Sequence, residues 1–156
     1  MLLYLVRHGE AKGELEDIAR PLSDKGVADV NKISVFLSKL HITVAQIHHS
    51  NKLRAVQTAK ILSEHIKSTN GLEEMSGLLP MDEPRIWFKR LETIDDDVML
   101  VGHLPHLGGL ACLLLCGNRC RQDLMDFKAA GACALKRSQS GFWSLEWFVT
   151  PNILTL

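Results

Sequence analysis

Apolar and polar residues follow two different periods along this chain, and the two periods alternate. Continuous apolar runs typical of buried strands are Leu2–Val6, Val44–His49, Val98–Val101, Ala132–Lys136 and Trp143–Val149. Segments with an apolar residue every three or four positions, typical of amphipathic helices, run from Ser23 to about His41, from Ser50 to Ile66, over Ile86–Leu91 and from Leu107 to Gly117. Strands that alternate with helices predict an α/β fold, a three-layer sandwich around a mostly parallel central sheet.

Residues that favour helix ends and turns support these assignments. Ser23 and Ser50 are predicted N-caps, because a serine oxygen can accept a hydrogen bond from the first turn of a helix. The apolar face of the helix after Ser50 is predicted at Leu53, Val56, Ala59, Leu62 and Ile66. Gly117 is predicted to end the last helix, and Ser138–Gly141 to join the last two strands in a hairpin or at an edge.

Length and charge narrow the class of protein. The chain has 156 residues and 46% apolar content, which predicts a single domain over residues 1–156 with a sizeable core. Its formal net charge of zero argues against a nucleic-acid partner and against an acidic membrane surface, since both usually require a basic excess. The apolar run after Met1 stops at Arg7, and no stretch approaches the roughly 20 apolar residues of a membrane span. A cytoplasmic protein is expected.

The cysteines show no metal-binding pattern. Cys112, Cys116 and Cys120 recur at helical spacing without a Cys-x-x-Cys pair or clustered histidines, and Cys133 stands apart. We therefore expect no zinc site, and we expect buried or free thiols in a reducing compartment.

Polar residues with phosphate chemistry follow three of the predicted strands. The first strand ends in Arg7-His8-Gly9-Glu10, the second in His49-Ser50 with Arg54 shortly after, and the third in Gly102-His103. In open α/β sheets, ligands bind beyond the carboxyl ends of the strands, so these residues are predicted to meet in one pocket.

Their chemistry suits a phosphoryl group. Arginine presents a planar fork of donors to phosphate oxygens, and a helix N-terminus adds free N–H groups. Two histidines can divide the work, one neutral as a nucleophile and one protonated as a charge partner. The glycines beside them, Gly9 and Gly102, would let a ligand approach the backbone closely.

Each residue also has a plainer interpretation when taken alone. The Arg7-His8 pair could be solvent-exposed residues without a function, Arg54 a solvated helix residue and His103 a loop histidine. His48 and His49 are interpreted as structural, one directed into the core and the other towards solvent. His41, His65 and His106 have no partner pattern. The occurrence of three such clusters at one predicted edge of the sheet favours function.

At these residues the chain resembles the histidine phosphatase superfamily, with its phosphoglycerate-mutase-like fold. The first block is Leu5-Val6-Arg7-His8-Gly9-Glu10-Ala11, the second is Ser50 with Leu53 to Thr58, and the third is Val101-Gly102-His103. Within the superfamily it is most similar to the small bacterial phosphohistidine phosphatases of the signal-inhibitory type, through Arg20-Pro21-Leu22-Ser23, Gly26 and His103-Leu104-Pro105.

The resemblance implies a role for each matching residue. His8 would attack phosphorus and carry the phosphoryl group, while Arg7, Arg54 and His103 would hold its oxygens, with Arg20 as a further substrate contact. No metal and no organic cofactor is implied. One departure is Asn51, where the family commonly has proline, and this concerns the rigidity of the loop more than the chemistry.

The chain is too short for a large lid insertion, and this bears on the substrate. Leu72–Pro84 is predicted to be a short strand followed by a loop, and only its carboxylates are candidates for a general acid: Glu73, Glu74, Asp82 and Glu83. None lies in a recognisable motif. Because a phosphorus–nitrogen bond to imidazole breaks with less help from an acid than an alkyl ester does, the predicted substrate is phosphohistidine on a protein, such as a phosphotransfer domain.

Two other functions stay open on sequence grounds. One is a general or small-molecule phosphomonoesterase of the same fold. The other is a non-catalytic phosphate-binding module, although such a module would have no need of a nucleophilic histidine.

Overall fold

A computed structural model describes residues 1–119 and 124–154 of the chain. Its six-stranded sheet has the order β5-β3-β6-β1-β7-β8, and a separate pair joins β2 to β4. The strands are β1 Leu2–Arg7, β2 Thr43–Val44, β3 Gln46–His49, β4 Lys67–Ser68, β5 Leu72–Glu74, β6 Val98–Gly102, β7 Ala132–Arg137 and β8 Trp143–Val149. The helices are α1 Asp24–Ser38, α2 Leu53–Ser63, α3 Arg85–Leu91 and α4 His106–Cys116.

The four strands β5, β3, β6 and β1 are mutually parallel, whereas β7 and β8 run antiparallel at one side of the sheet. The hairpin predicted at the end of the chain is therefore present, and β8 is an edge strand. The predicted mostly parallel sheet is confirmed. No large insertion interrupts the described part of the chain, where only α3 and its loops lie between β5 and β6.

Helices cover both faces of the sheet. Side chains of β1 alternate between two cores, with Tyr4 and Val6 in the core that contains residues of α1 and α2, and Leu3 and Leu5 in the core that contains residues of α3 and α4. This alternation is the period of two expected of a strand buried on both faces. The three-layer arrangement follows directly.

Several boundaries differ from the sequence prediction, among them the end of α2, which is Ser63 rather than Ile66. The helix expected to reach His41 ends at Ser38, and His41 itself has a left-handed backbone (φ 52°). The run Val44–His49 is two strands, because the chain leaves β2 at Ala45, whose N–H donates to the Asp97 carbonyl, before β3 enters the main sheet.

The predicted cap of α2 is also wrong, although the cap of α1 is confirmed. Ser23 Oγ accepts from Gly26 N in α1, but α2 is preceded by Lys52, which makes no side-chain cap. Ser50 lies further upstream and its hydroxyl bonds to a histidine of the site described below. Leu53, predicted on the buried face of α2, is 39% exposed because it begins the helix beyond the edge of the core.

The cysteine prediction needs one correction. Cys112 is disulfide-bonded, whereas Cys116 and Cys133 are free thiols, and Cys120 lies outside the described residues. Over residues 1–119 and 124–154, no group of three or more His, Cys, Asp or Glu side chains is arranged to hold a metal ion. Within the same ranges, no helix is long and apolar enough to cross a membrane.

Candidate active site

Three adjacent strands bring the predicted site residues together. β6 lies between β3 and β1, with Arg7 in register with Gly102 and His49 in register with Val101. Their carboxyl ends therefore open at one edge of the sheet, and the backbone continues this contact beyond the strands, since His8 N donates to Gly102 O at 3.0 Å and Ser50 N donates to Val101 O at 3.1 Å.

His8 is held in one tautomer. Its Nδ1 lies 2.7 Å from the carbonyl oxygen of Gly9, and because a carbonyl can only accept, Nδ1 carries the proton. Nε2 of the neutral ring then has a lone pair, and Arg54 Nε–H donates to it at 3.3 Å. Burial and the nearby cations of Arg54, Arg7 and Arg20 lower the pKa of His8 to about 4. His8 is therefore neutral at pH 7.

A hydrogen-bonded connection ties His8 to α2. Gly9 N donates to Thr58 Oγ1 at 3.1 Å, and the Thr58 hydroxyl donates to the Arg54 carbonyl at 2.7 Å one turn earlier. Burial first, and then repulsion by Arg20, lowers the pKa of Arg54, which still remains a cation. The helix thus fixes the distance between the candidate nucleophile and its arginine.

Arg7 is held from the opposite side of the site. One of its terminal nitrogens, Nη1, donates to the Phe127 carbonyl at 2.7 Å, while its buried Nε has no hydrogen-bond partner among residues 1–119 and 124–154. Burial lowers the pKa of Arg7, and the carboxylate of Asp126 opposes this effect. The guanidinium is therefore anchored at one end and has donor capacity left for an anion.

His103 faces His8 across the site. The two rings have centroids 4.9 Å apart, and His103 Nε2 lies 2.8 Å from Ser50 Oγ. Burial, followed by His8 and Arg54, lowers the pKa of His103 to about 3. The predicted division into one neutral and one protonated histidine thus differs from this structure, in which both rings are neutral at pH 7. A bound dianion would oppose these causes and raise the pKa of His103.

Gly9 and Gly102 were expected to admit a ligand, but Gly9 has a packing reason of its own. A Cβ at Gly9 would lie 2.6 Å from Val30 Cγ2 and 2.9 Å from the Gly26 carbonyl, so α1 excludes a side chain there. The contact is reciprocal, since a Cβ at Gly26 would lie 2.0 Å from the Glu10 carbonyl. Gly102 is less restricted, with Leu78 O as its nearest neighbour at 3.4 Å.

Arg20 lies at the rim of the same site. Its backbone is left-handed (φ 49°) and its Nε donates to the Lys12 carbonyl at 3.2 Å. With Arg54 and Lys52 it lines a cleft of about 520 Å³ beside the start of α2. The structure thus brings Arg7, His8, Arg20, Arg54 and His103 into one neighbourhood, as the sequence predicted.

Comparison with known proteins identifies the family. Residues 3–79 match the model of the histidine phosphatase superfamily, branch 1. An uncharacterised protein from Picosynechococcus sp. (strain ATCC 27264 / PCC 7002 / PR-6) is 32% identical over 145 residues, which cover 87% of this chain and 85% of that protein. The chain belongs to the histidine phosphatase superfamily.

Solved structures show the same fold. The protein histidine phosphatase SixA complexed with tungstate has a TM-score of 0.85 and 22% identity, covering 99% of this chain and 100% of that one. A mutant phosphoserine phosphatase from Entamoeba histolytica, in complex with phosphoserine, has a TM-score of 0.74 and 13% identity, and 99% of each chain is covered. The fold is therefore that of the phosphoglycerate-mutase-like phosphatases, as predicted, and its similarity is greatest to SixA among these.

The four carboxylates considered as general acids of this histidine phosphatase form no hydrogen bond or ion pair with His8, Arg54 or His103. Glu73 Oε2 lies 3.1 Å from His48 Nδ1, and Asp82 Oδ2 accepts from Leu79 N at 2.9 Å. Glu74 and Glu83 are exposed. Across the described ranges, no carboxylate forms a hydrogen bond or an ion pair with His8, Arg54 or His103, so the structure brings none of the four to these side chains.

The two histidines of β3 are both buried, which corrects the expectation that one faces solvent. His48 packs against Trp87 with ring centroids 5.2 Å apart, and His49 Nδ1 bonds to the Ser50 carbonyl at 3.0 Å. Burial lowers the pKa of His48 despite the opposing carboxylate of Glu73. Their interpretation as structural residues agrees with these contacts.

Some residues of the site were missed by sequence reasoning. The Phe127 carbonyl that anchors Arg7 had no signal, because a backbone acceptor leaves no residue-type pattern. Ser50 and Thr58 lay within the recognised second block and could have been assigned as hydrogen-bond partners. The buried Ser50 hydroxyl contacts His103, and the buried Thr58 hydroxyl accepts from Gly9 N.

Proposed function

We propose that this protein is a phosphohistidine phosphatase that takes the phosphoryl group of a phosphorylated protein onto His8. The observation that carries the proposal is the state of the His8 ring. Nδ1–H is committed to Gly9 O, so the Nε2 lone pair is directed into the site beside Arg54, and the low pKa keeps that lone pair free of a proton at pH 7.

Three further groups lie near this lone pair. Arg54 Nε donates to it at 3.3 Å, the ring centroid of His103 lies 4.9 Å from that of His8, and Arg7 is close enough to lower the pKa of His8. These three would bind the non-bridging oxygens of a transferring phosphoryl group. The negative charge that such a group brings would protonate His103 more readily, since its pKa is depressed partly by neighbouring positive charge. His103 then becomes the charge partner that the sequence predicted.

The reaction proceeds in two displacements. In the first, His8 Nε2 forms a bond to phosphorus while the bond between phosphorus and the imidazole nitrogen of the substrate breaks, and the leaving imidazole takes a proton from solvent. In the second, water attacks phosphorus, the bond to His8 Nε2 breaks, and inorganic phosphate leaves with the proton of water released to solvent. No redox partner is needed.

The substrate class follows from the leaving group. An alkyl ester leaves as an alkoxide that an acid must protonate, whereas the nitrogen of phosphohistidine can be protonated directly from solvent. Since the described residues place no carboxylate against His8, Arg54 or His103, the site is better suited to the phosphoramidate bond. The structural similarity to a protein histidine phosphatase supports this choice.

A general phosphomonoesterase is the alternative, and a substrate series distinguishes it. We expect phosphoramidate and a chemically phosphorylated phosphotransfer domain to react readily, p-nitrophenyl phosphate slowly, and 3-phosphoglycerate at least about 10²-fold more slowly than the aryl ester. Efficient hydrolysis of 3-phosphoglycerate that is lost in Glu73→Gln, Glu74→Gln, Asp82→Asn or Glu83→Gln would show a general acid and favour the alternative.

The role of His8 is tested by covalent labelling. Wild-type protein mixed briefly with labelled substrate should carry acid-labile phosphate, and His8→Ala should carry none and turn over no substrate. His65→Ala is the matched control, because His65 is exposed just after the end of α2 and, among the described residues, its side chain forms no hydrogen bond or ion pair with the site. Acid-labile label that persists in folded His8→Ala would contradict the assignment.

A further inference from the structure

The cleft beside Arg54 extends the site onto the surface of the protein. Its volume is about 520 Å³, and its lining includes Glu14, Ile18 and Arg20 on one side and Lys52, Leu53 and Arg54 on the other. One wall is therefore the loop that precedes α1, and the other is the start of α2. Both walls lead directly from the arginine that contacts His8.

The loop over residues 13–20 has a defined conformation. Glu16 N and Asp17 N both donate to Gly13 O, at 3.1 and 3.0 Å, and Arg20 N donates to Asp17 O at 3.0 Å. A bridge between Ala11 and Leu22 closes the base of the loop. These bonds hold the backbone of the loop in one conformation.

This ordered loop exposes two large aliphatic side chains. Leu15 is 107% exposed and Ile18 is 88% exposed, and Ile18 lies in the wall of the cleft opposite Leu53, which is 39% exposed. Ile18 and Leu53 thus both line the cleft that leads to Arg54, and Leu15 belongs to the same loop as Ile18, so exposed apolar side chains adjoin the candidate site. Covering these apolar side chains with a partner would remove their surface from water and so stabilise the complex.

The charges of the cleft favour an anionic partner. Arg20, Lys52 and Arg54 outnumber the single acid of the lining, Glu14. Lys52 is exposed and, within the described ranges, forms no ion pair, while the other acids of the loop have contacts of their own: Glu16 with Lys12 Nζ at 3.7 Å and Asp17 with Ala19 N at 2.9 Å. The cationic wall is thus available for an acidic group next to the phosphoryl group.

We propose that loop 13–20 and the start of α2 form a docking surface for the phosphorylated partner protein. The partner places an apolar side chain of its own against Ile18, Leu53 and Leu15, and an acidic residue near Lys52, while its phosphohistidine enters between Arg54 and His103. This inference rests on the proposed function, since it names the surface by which that substrate is recognised. It also predicts that a small phosphoramidate, which cannot reach the loop, does not use it.

The test compares two substrates with one pair of substitutions. Leu15→Ser combined with Ile18→Ser should lower kcat/KM about tenfold or more for a phosphotransfer domain phosphorylated on histidine, as expected when apolar surface is lost from an interface. kcat/KM for free 3-phosphohistidine should stay within about twofold of the wild type, since substitutions at exposed positions usually have small effects on the fold. Phe142→Ser is the matched control, because Phe142 is 77% exposed in the β7–β8 turn at the other end of the sheet.

The possible outcomes distinguish failure of the docking surface from failure of the proposed function. If the double variant turns over both substrates with the same kcat/KM as the wild type, the docking surface is overturned and the proposed function still stands. An equal loss for both substrates would also overturn it, because the loop would then act on the site rather than on the partner. No wild-type turnover of either phosphohistidine substrate would overturn the proposed function and the docking surface together.

Discussion

The contact between α1 and the loop that follows β1 leads to a sharp prediction for Gly26→Ala. An alanine inside a helix is ordinarily more favourable than glycine by up to about 1 kcal/mol. Here its Cβ would lie 2.0 Å from the Glu10 carbonyl oxygen and 2.9 Å from the Glu10 carbonyl carbon, whereas real Cβ atoms essentially never approach closer than 3.0 Å. The neighbour is backbone and cannot rotate away.

The magnitude follows from the displacement that the methyl group demands. Moving Glu10 O from 2.0 to 3.0 Å requires a shift of at least 1.0 Å between α1 and the His8–Glu10 loop. Overpacking of this kind typically costs about 1–3 kcal/mol, which corresponds to a fall in the unfolding temperature of roughly 2–12 °C for a chain of this size. A misplacement of about 1 Å at a nucleophile can lower the rate about 10²-fold.

The assay is thermal unfolding together with steady-state hydrolysis of phosphoramidate. Gly13→Ala is the matched control, since a Cβ at Gly13 meets nothing within 4 Å and its backbone is not left-handed. The control should keep wild-type stability and activity. Wild-type unfolding temperature and rate in Gly26→Ala would refute the reasoning, because the helix would then not fix the position of the His8 loop.

The remaining predictions concern charge at the site. Arg54→Ala should lower kcat/KM about a hundredfold, which is the usual cost of removing a preorganised donor. It should also raise the pKa of His8, as measured by NMR titration, because the Arg54 cation lowers that pKa. Arg85→Ala on α3 is the control. The acid limb of kcat/KM should fall near pH 4, where His8 becomes protonated, and a limb at the ordinary value of 6.5 would contradict the neutral nucleophile. Because His8 and His103 have pKa values lowered from 6.5 to about 4 and about 3, the unfolded chain binds more protons in that window, so urea-unfolding stability should decline as pH falls from 6.5 towards 3. The double variant His8→Ala/His103→Ala should show a smaller decline.

The sequence by itself predicted most of the order of the elements, although not the separate β2–β4 pair, and it grouped the candidate residues of the site. Local signals produced this result: the apolar runs of β1 and β6, the serine before α1, and the glycine after α4 each act over a few residues. Arg7, His8, Arg54 and His103 could be grouped because parallel strands that follow one another across helices end at the same edge of a sheet. Those rules apply without knowledge of the tertiary structure.

Other features depended on contacts between distant parts of the chain, and only the tertiary structure decided them. Ser50 looks like a helix cap from its neighbours, but His103, which is 53 positions later, takes its hydroxyl. Gly26 looks like an ordinary helix residue until the Glu10 carbonyl is placed against it. The low pKa of His8 depends on burial and on three arginines from separate segments. Its tautomer depends on the adjacent Gly9 carbonyl, but the folded backbone sets the direction of that carbonyl. Burial and electrostatic fields are sums over the packed molecule, and for that reason a linear pattern of residues could propose the nucleophile but could not determine its protonation state.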